Sequence, residues 1–252
     1  MRFTHFFFLL YFFVFLNCRE EKKQLFKIEG KQIEISDSLA TDPEIEAYVK
    51  PFRDHIEKDL DSVLAYAADS FSKKDGYLNT AIGNFMADAM YAKAHPVFKS
   101  RTGHDIDMAI MNYGGIRATL KKGNVSKRTA FQIMPFENKI VVVALKGTQI
   151  ERLIAYLCKA KSAHPISKLN LIVDQNFEVL QATIKGQKIQ QEKTYYVATS
   201  DYLYNGGDNM LFFKPNDSVY YLDYKIRNVL IDTFLETDTI NPVIDDRFIQ
   251  KK

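Results

Sequence analysis

A strand-like stretch that runs straight into a paired-glycine turn occurs twice in this chain. In the first copy Ile106, Met108 and Ile110 alternate with Asp107, Ala109 and Met111, the period of two expected of a strand with at least one buried face. Asn112-Tyr113-Gly114-Gly115-Ile116-Arg117 follows directly. Paired glycines let a backbone come close to a ligand, and Arg117 offers a planar fork of donors suited to a phosphate, a carboxylate or sugar hydroxyls. Alone, this hexapeptide fits a tight turn with a surface arginine equally well. The second copy is Tyr195 to Thr199 running into Asp201-Tyr202-Leu203-Tyr204-Asn205-Gly206-Gly207-Asp208. Two strand ends of this kind can line one pocket.

Between them lies Met134-Pro135-Phe136-Glu137-Asn138. The three segments, in this order, resemble the C-terminal, substrate-binding domain of the 5'-nucleotidase family, which also includes UDP-sugar hydrolases and cyclic-phosphodiesterase relatives. There they read roughly Asn-x-Gly-Gly-Ile-Arg, Pro-Phe-(Gly/Glu)-Asn and (Phe/Tyr)-Leu-x-x-Gly-Gly-Asp. The resemblance runs from about Asp61 to Ile249, and the tail Asp245-Asp246-Arg247-Phe248-Ile249 is similar to the family's closing Gly-Arg-Ile pattern. It implies an α+β fold, an α/β-like mixed sheet with flanking helices.

The resemblance also implies roles. Phe136 and Tyr202 would sandwich a base, Asn112 would read its edge, Asp208 would accept from two ribose hydroxyls, and Arg117 would lie near ribose and phosphate. Gly114, Gly115, Asn205, Gly206 and Gly207 would complete the substrate-binding set, the glycines letting the backbone approach the ligand closely. Asn112 can donate and accept at once, and an ionised Asp208 only accepts, so each suits its task chemically. Without the family, either ring could be core, since the chain holds 19 Phe and 14 Tyr, and Asp208 could simply bond its own turn. One departure stands out: Leu78 occupies the place of an arginine that commonly reaches the substrate. One phosphate or ribose contact is then missing.

Hydrolysis in the family depends on two divalent metals held in a separate N-terminal domain, where they clamp the phosphate and activate water. The expectation is that no such domain stands ahead of the helix at Asp42. His5, His55, His95, His104 and His164 stand isolated, and Cys158 falls on the apolar face of a helix, so no metal cluster or nucleophile constellation can be assembled from spacing. The expectation is a chain without its own cofactor. It would be the nucleoside- or nucleotide-recognising half of a split hydrolase, with the metals on a metallophosphoesterase partner chain, or alternatively a free-standing surface binding lipoprotein.

The N-terminus reads as an export signal. Arg2 is a basic start, Phe6 to Phe15 is intensely apolar, and no charge intervenes before Arg19. The apolar run falls short of the roughly 20 residues of a membrane span. Phe15-Leu16-Asn17-Cys18 resembles a lipobox with Cys18 as the lipidated residue, the alternative being ordinary cleavage nearby. The expectation is an exported lipoprotein, periplasmic or on the surface of a Gram-negative bacterium and held to the membrane by a lipid anchor. Residues 1–18 are then signal, 19–41 a solvated tether with a small hairpin across Phe26–Ile35, and 42–250 the domain with its leading helix. Only Cys158 remains beyond Cys18, so burial rather than a disulfide must hold the fold. Hydrophobic residues make up 46% of the chain, enough for a single large core. With 34 basic and 31 acidic residues there is no basic excess of the kind a nucleic-acid polymer requires.

Further along, Asp42-Pro43 predicts the cap of an amphipathic helix with Pro51 as a kink. A strand is expected at Val63–Ala67, a helix over Asn79–Ala94 and a buried strand over Lys139–Leu145. Thr148-Gln149-Ile150-Glu151 reads as a capping box opening the next helix. Strands over Leu169–Val173, Phe177–Ile184 and Lys188–Ile189, with a turn at Lys185-Gly186-Gln187, and a last helix marked by Ile226, Val229, Leu230 and Phe234 complete the pattern.

Overall fold

The computed structural model describes residues 25–251. The signal and Cys18 lie outside these residues. Two compact units divide the chain, the first ending at Val49 and the second beginning at Lys50. Residues 25–42 carry neither strand nor helix, only a turn at residues 37–39, which corrects the expected hairpin. Phe26, Ile28, Ile33 and Ile35 are almost fully exposed. Two short strands with nothing to cover an apolar face do not hold together in water.

Helix α1, Pro43–Leu60, starts where expected, with the Asp42 carboxylate accepting from the amides of Glu44 and Ile45 at 2.9 and 3.2 Å, and runs on through Pro51. None of its residues is buried. Its C-terminal end is pinned by Lys127 on Asp59 (2.6 Å), and Asp61 just beyond it holds Arg128.

The second unit is built around a five-stranded mixed sheet in the order β10-β4-β9-β2-β5: β2 Met108–Ile110, β4 Lys139–Lys146, β5 Ile166–Ser167, β9 Thr194–Ser200 and β10 Ser218–Lys225. Both faces of this sheet are covered. Ile140 and Val142 of β4 join one apolar cluster and Val141, Val143 and Leu145 the other, all at 0% exposure, which is why the strand reads as an unbroken apolar run. The first cluster packs under α2 (Ala81–Thr102) and α6 (Ile226–Leu235) and against a three-stranded sheet, β11-β1-β3, with β1 at Val63–Ala67, β3 at Gly123–Ser126 and β11 at Thr239–Ile240. The short helix α3, Lys127–Ile133, follows β3 and contributes Ala130 and Ile133 to the same cluster. The second cluster packs under α4 (Gly147–Ala160) and a four-stranded sheet, β12-β6-β7-β8, with β6 at Leu169–Val173, β7 at Val179–Ile184, β8 at Gln187–Lys188 and β12 at Phe248–Gln250. This is the expected mixed-sheet architecture with flanking helices.

Several boundaries differ for physical reasons. Helix α2 continues past Ala94 and through Pro96 because Phe98 still buries completely, and it ends at Gly103 in the left-handed conformation (φ 77°). The capping box at Thr148 does not form. Instead α4 begins at Gly147, whose amide and that of Thr148 donate to Lys193 and Gln191 carbonyls at 3.0 and 3.3 Å. Glu151 instead accepts from the Gln191 side chain. Gly147 is obligatory there, since a Cβ would sit 2.1 Å from the Gln190 carbonyl oxygen. Cys158 is buried on α4 as expected, and burial raises its thiol above the ordinary range.

Strand direction decides where the loops meet. β2 and β9 run parallel, with Met108 opposite Val197. Their carboxyl ends, and so both glycine turns, therefore open on the same edge. β4 runs antiparallel to β9 with Ile140 opposite Ser200, so the segment entering β4, Met134–Asn138, arrives at that edge too.

Candidate functional site

At this edge a cavity of about 250 Å³ is lined by Asn112, Gly114, Gly115, Arg117, Phe136, Asn138, Tyr202 and Asp208. All three predicted segments meet there. The first turn is a short 3₁₀ helix, Tyr113–Gly115, in which the Gly115 amide donates to the Asn112 carbonyl at 3.1 Å. A Cβ on Gly115 would stand 2.7 Å from Asn112 Oδ1. Glycine here leaves room for the Asn112 amide to stand in the cavity wall.

The second turn begins as β9 ends. Ser200 caps a single helical turn, α5 (Asp201–Tyr204), by accepting from the Leu203 amide at 3.1 Å, and Asp201 accepts from the Lys139 amide at 3.1 Å, which fastens this turn to the start of β4. Asn205 closes α5 and Gly206 takes φ 93°. A Cβ on Gly207 would lie 2.4 Å from the Tyr202 ring, so the backbone and the ring are in direct contact. Asp208 then sits in the left-handed region at φ 51°, a conformation that costs a non-glycine residue on the order of 1 kcal/mol or more and persists where surroundings enforce it. Asn205, Gly206 and Gly207, expected among the substrate-binding residues, do not line the cavity; they form the turn that sets Tyr202 and Asp208 in place.

The side chains form one network. Asn112 Nδ2 donates to Asp208 Oδ2 at 2.8 Å, and the Tyr202 hydroxyl donates to Asp208 Oδ1 at 2.9 Å. The neighbouring carboxylate raises the Tyr202 phenol above its ordinary value, so the hydroxyl stays protonated and donating. A carboxylate has about four lone-pair sites. Two are used here, which leaves Asp208 able to accept from a vicinal diol while Asn112 and Tyr202 hold it in place. Sequence spacing could not show that the amide, the carboxylate and the phenol are bonded to one another.

Phe136 and Tyr202 are 38% and 45% exposed, which makes them cavity rings rather than core. Arg117 lies with its guanidinium carbon 5.9 Å from the Phe136 ring centre and donates to the Gly114 carbonyl at 3.4 Å. The Phe136 carbonyl is held by Arg227, which also bonds Glu137; Lys225 pairs with Glu137 at 2.5 Å. These two cations bring the Glu137 carboxyl down to about 2. Glu137 is therefore a clasp to α6 and not a cavity residue.

Leu78 is buried in the second apolar cluster and takes no part in the cavity wall. Asn79 and Asn84 beside it hold the C-terminal tail, Asn79 Nδ2 donating to the carbonyls of Asp245 and Phe248. A different cation stands near the site. Lys73, on a turn tied to the Arg117 loop through the Phe71–Leu120 bridge, places its Nζ 4.6 Å from the Tyr113 ring centre. Burial first and Arg117 second lower its pKa. Among the described residues neither Lys73 nor Arg117 forms an ion pair. Lys73 and Asn138 were not among the residues singled out from sequence; Asn138 sits in the Pro-Phe-Glu-Asn segment and could have been.

The histidines remain apart. His95 pairs with Asp105 (3.1 Å), His104 stacks on Tyr196 and His164 is buried behind the first turn. No group of three or more His, Cys, Asp or Glu that could hold a metal ion occurs among the described residues. The two metals of the resemblance have no fitting donor set there.

The family profile described as "5'-nucleotidase, C-terminal domain" matches residues 63–215, more than half of the chain. The chain belongs to the 5'-nucleotidase C-terminal domain family. Among its curated relatives is an apyrase of Tabanus yao, 24% identical over 84% of this chain and 42% of its own length. The trifunctional nucleotide phosphoesterase of Bacillus subtilis is 28% identical over 76% of this chain and 14% of its own length. A solved 5'-nucleotidase precursor from Thermus thermophilus superimposes with a TM-score of 0.68 at 21% identity, covering 82% of this chain and 42% of that one, which shows the common fold. The chain spans less than half the length of these relatives.

Proposed function

We propose that this chain is the nucleoside- or nucleotide-recognising half of a split 5'-nucleotidase-like hydrolase, and that a separate metallophosphoesterase chain supplies two divalent metals and the chemical step. The observation that carries this reading is the meeting of two half-exposed rings, an amide, a carboxylate and a cation on one cavity. A nucleoside asks for these groups together: flat apolar faces for the base, an amide for its edge and an acceptor for the ribose diol. Arg117 and Lys73, which form no ion pair among the described residues, add a place for phosphate. At about 250 Å³ the cavity is smaller than the roughly 300–1,000 Å³ that encloses a small ligand, which suits a site covering one side of a ligand whose phosphate projects towards a second protein.

The leader and Cys18 support export and attachment through a lipid, so the pair would act outside the cytoplasm. Calorimetric titration of the mature chain with nucleosides, nucleoside monophosphates and UDP-sugars tests the recognition reading. Saturable binding that Asp208→Asn weakens supports it, and no heat with any of these ligands overturns it. The split-enzyme part is tested by adding a lone metallophosphoesterase domain encoded beside this chain: turnover that needs both proteins supports it, and equal turnover with and without this chain counts against it.

A further inference from the structure

Behind the cavity, a buried ring and a half-buried one touch. His164 and Tyr156 have ring centres 5.5 Å apart. His164 is 5% exposed and lies on the segment between α4 and β5, while Tyr156 comes from α4 itself. Each ring holds one of the two glycine turns. The Tyr113 amide donates to His164 Nδ1 at 3.2 Å, and the Tyr156 hydroxyl donates to the Asp208 backbone carbonyl at 2.9 Å. Neither residue lines the cavity.

We infer that His164 and Tyr156 form a positioning pair that keeps the two ligand turns in register, and that ligand affinity follows the protonation of His164. Accepting from a backbone amide requires an unprotonated Nδ1, so the ring is the neutral form with its hydrogen on Nε2. A proton on Nδ1 turns that acceptor into a donor facing an N–H. The Tyr113–Gly115 turn then loses its anchor, and with it the place of Asn112 against Asp208.

The groups acting on His164 set the direction. Burial lowers its pKa, and the charge of Asp208 together with the Met111 carbonyl oppose this; the Tyr156 ring packs against it. Neutral His164 is therefore the native form at neutral pH, and the anchor is lost in acid. If only this form presents the turn correctly, affinity falls by about tenfold for each pH unit below the titration of the imidazole.

This rests on the cavity being the ligand site, so the test carries a readout that needs no ligand. Amide hydrogen exchange of the unliganded wild type, His164→Leu and Tyr156→Phe is followed at residues 113–116 and 206–210. Each substitution is expected to speed exchange at both turns, including the one it does not touch. Uridine, whose charge does not change between pH 5 and 8, is then titrated into wild type, His164→Leu and His164→Asn across that range. An asparagine oxygen can accept from the Tyr113 amide without titrating, so His164→Asn should bind more tightly than His164→Leu and with a flat pH profile. Exchange that rises only at the directly bonded turn, or a wild-type profile retained in His164→Asn, overturns the inference. Coupled exchange in a protein that binds no uridine at any pH upholds the pair and removes the nucleoside reading.

Discussion

Replacing Phe136 by alanine separates a ligand ring from a core ring, because the two roles predict opposite balances of binding and stability. Full truncation of a buried phenylalanine costs about 3 to 5 kcal/mol. Phe136 is 38% exposed, with the Arg117 guanidinium carbon 5.9 Å from its ring centre. The folding cost should therefore stay near 2 kcal/mol, a fall in Tm of roughly 4 to 8 °C for a chain of this size. If the ring stacks on a base, binding loses about 1 to 3 kcal/mol, or about 5- to 150-fold in Kd. Calorimetry with adenosine and uridine, paired with thermal unfolding of the same samples, reads both quantities. Tyr202→Phe is the companion, since it keeps the ring and removes only the hydroxyl on Asp208; it should weaken ribonucleoside binding less than Phe136→Ala does. An affinity within twofold of wild type in Phe136→Ala, or a stability loss above 4 kcal/mol, would refute the reasoning.

Other outcomes follow from the same geometry. Gly207→Ala places a methyl group against the Tyr202 ring and should abolish measurable binding while far-ultraviolet circular dichroism still reports a folded protein. Glu137 has its folded pKa lowered to about 2 by Lys225 and Arg227, so its share of stability is complete above the unfolded value near 4.5 and lost as pH falls towards 2. Glu137→Gln should therefore flatten the stability profile between pH 5 and 2 in denaturant titrations. Without a donor set for metal among the described residues, the purified chain with Mn, Zn or Mg should show no appreciable nucleotidase activity; turnover that survives stringent purification and disappears in Asp208→Asn would contradict this. Cys18→Ser should release the protein from the membrane fraction or leave an unprocessed precursor, and identical processing of both forms would remove the lipid-anchor reading.

The frame of this domain was open to sequence reading where one local pattern had one structural meaning. The β-branched apolar run of β4 reads as a strand covered on both faces, and the paired glycines after β2 and β9 mark where those strands stop and turn. What escaped depended on contacts distant along the chain. Phe26–Ile35 has strand-like alternation, yet without a covering surface no hairpin forms. Thr148 carries the signature of a cap, yet the Gln190–Lys193 backbone reaches the first amides of α4 before a side chain can. Lys73, Tyr156 and His164 lie 39 or more residues from the motifs they support or come from segments with no motif of their own, so the bonds that join them to the glycine turns had no local signal. Leu78 could be read as a missing arginine, but that it belongs to the apolar core is a matter of packing.

The most direct measurement is a crystal structure of the chain soaked with a ribonucleoside. A base lying between Phe136 and Tyr202, with its edge on Asn112 and the ribose diol on Asp208, is the expected result. A nucleoside bound elsewhere, or an empty cavity at saturating concentration with the Asn112–Asp208–Tyr202 bonds unchanged, would contradict the assignment of this edge as the recognition site.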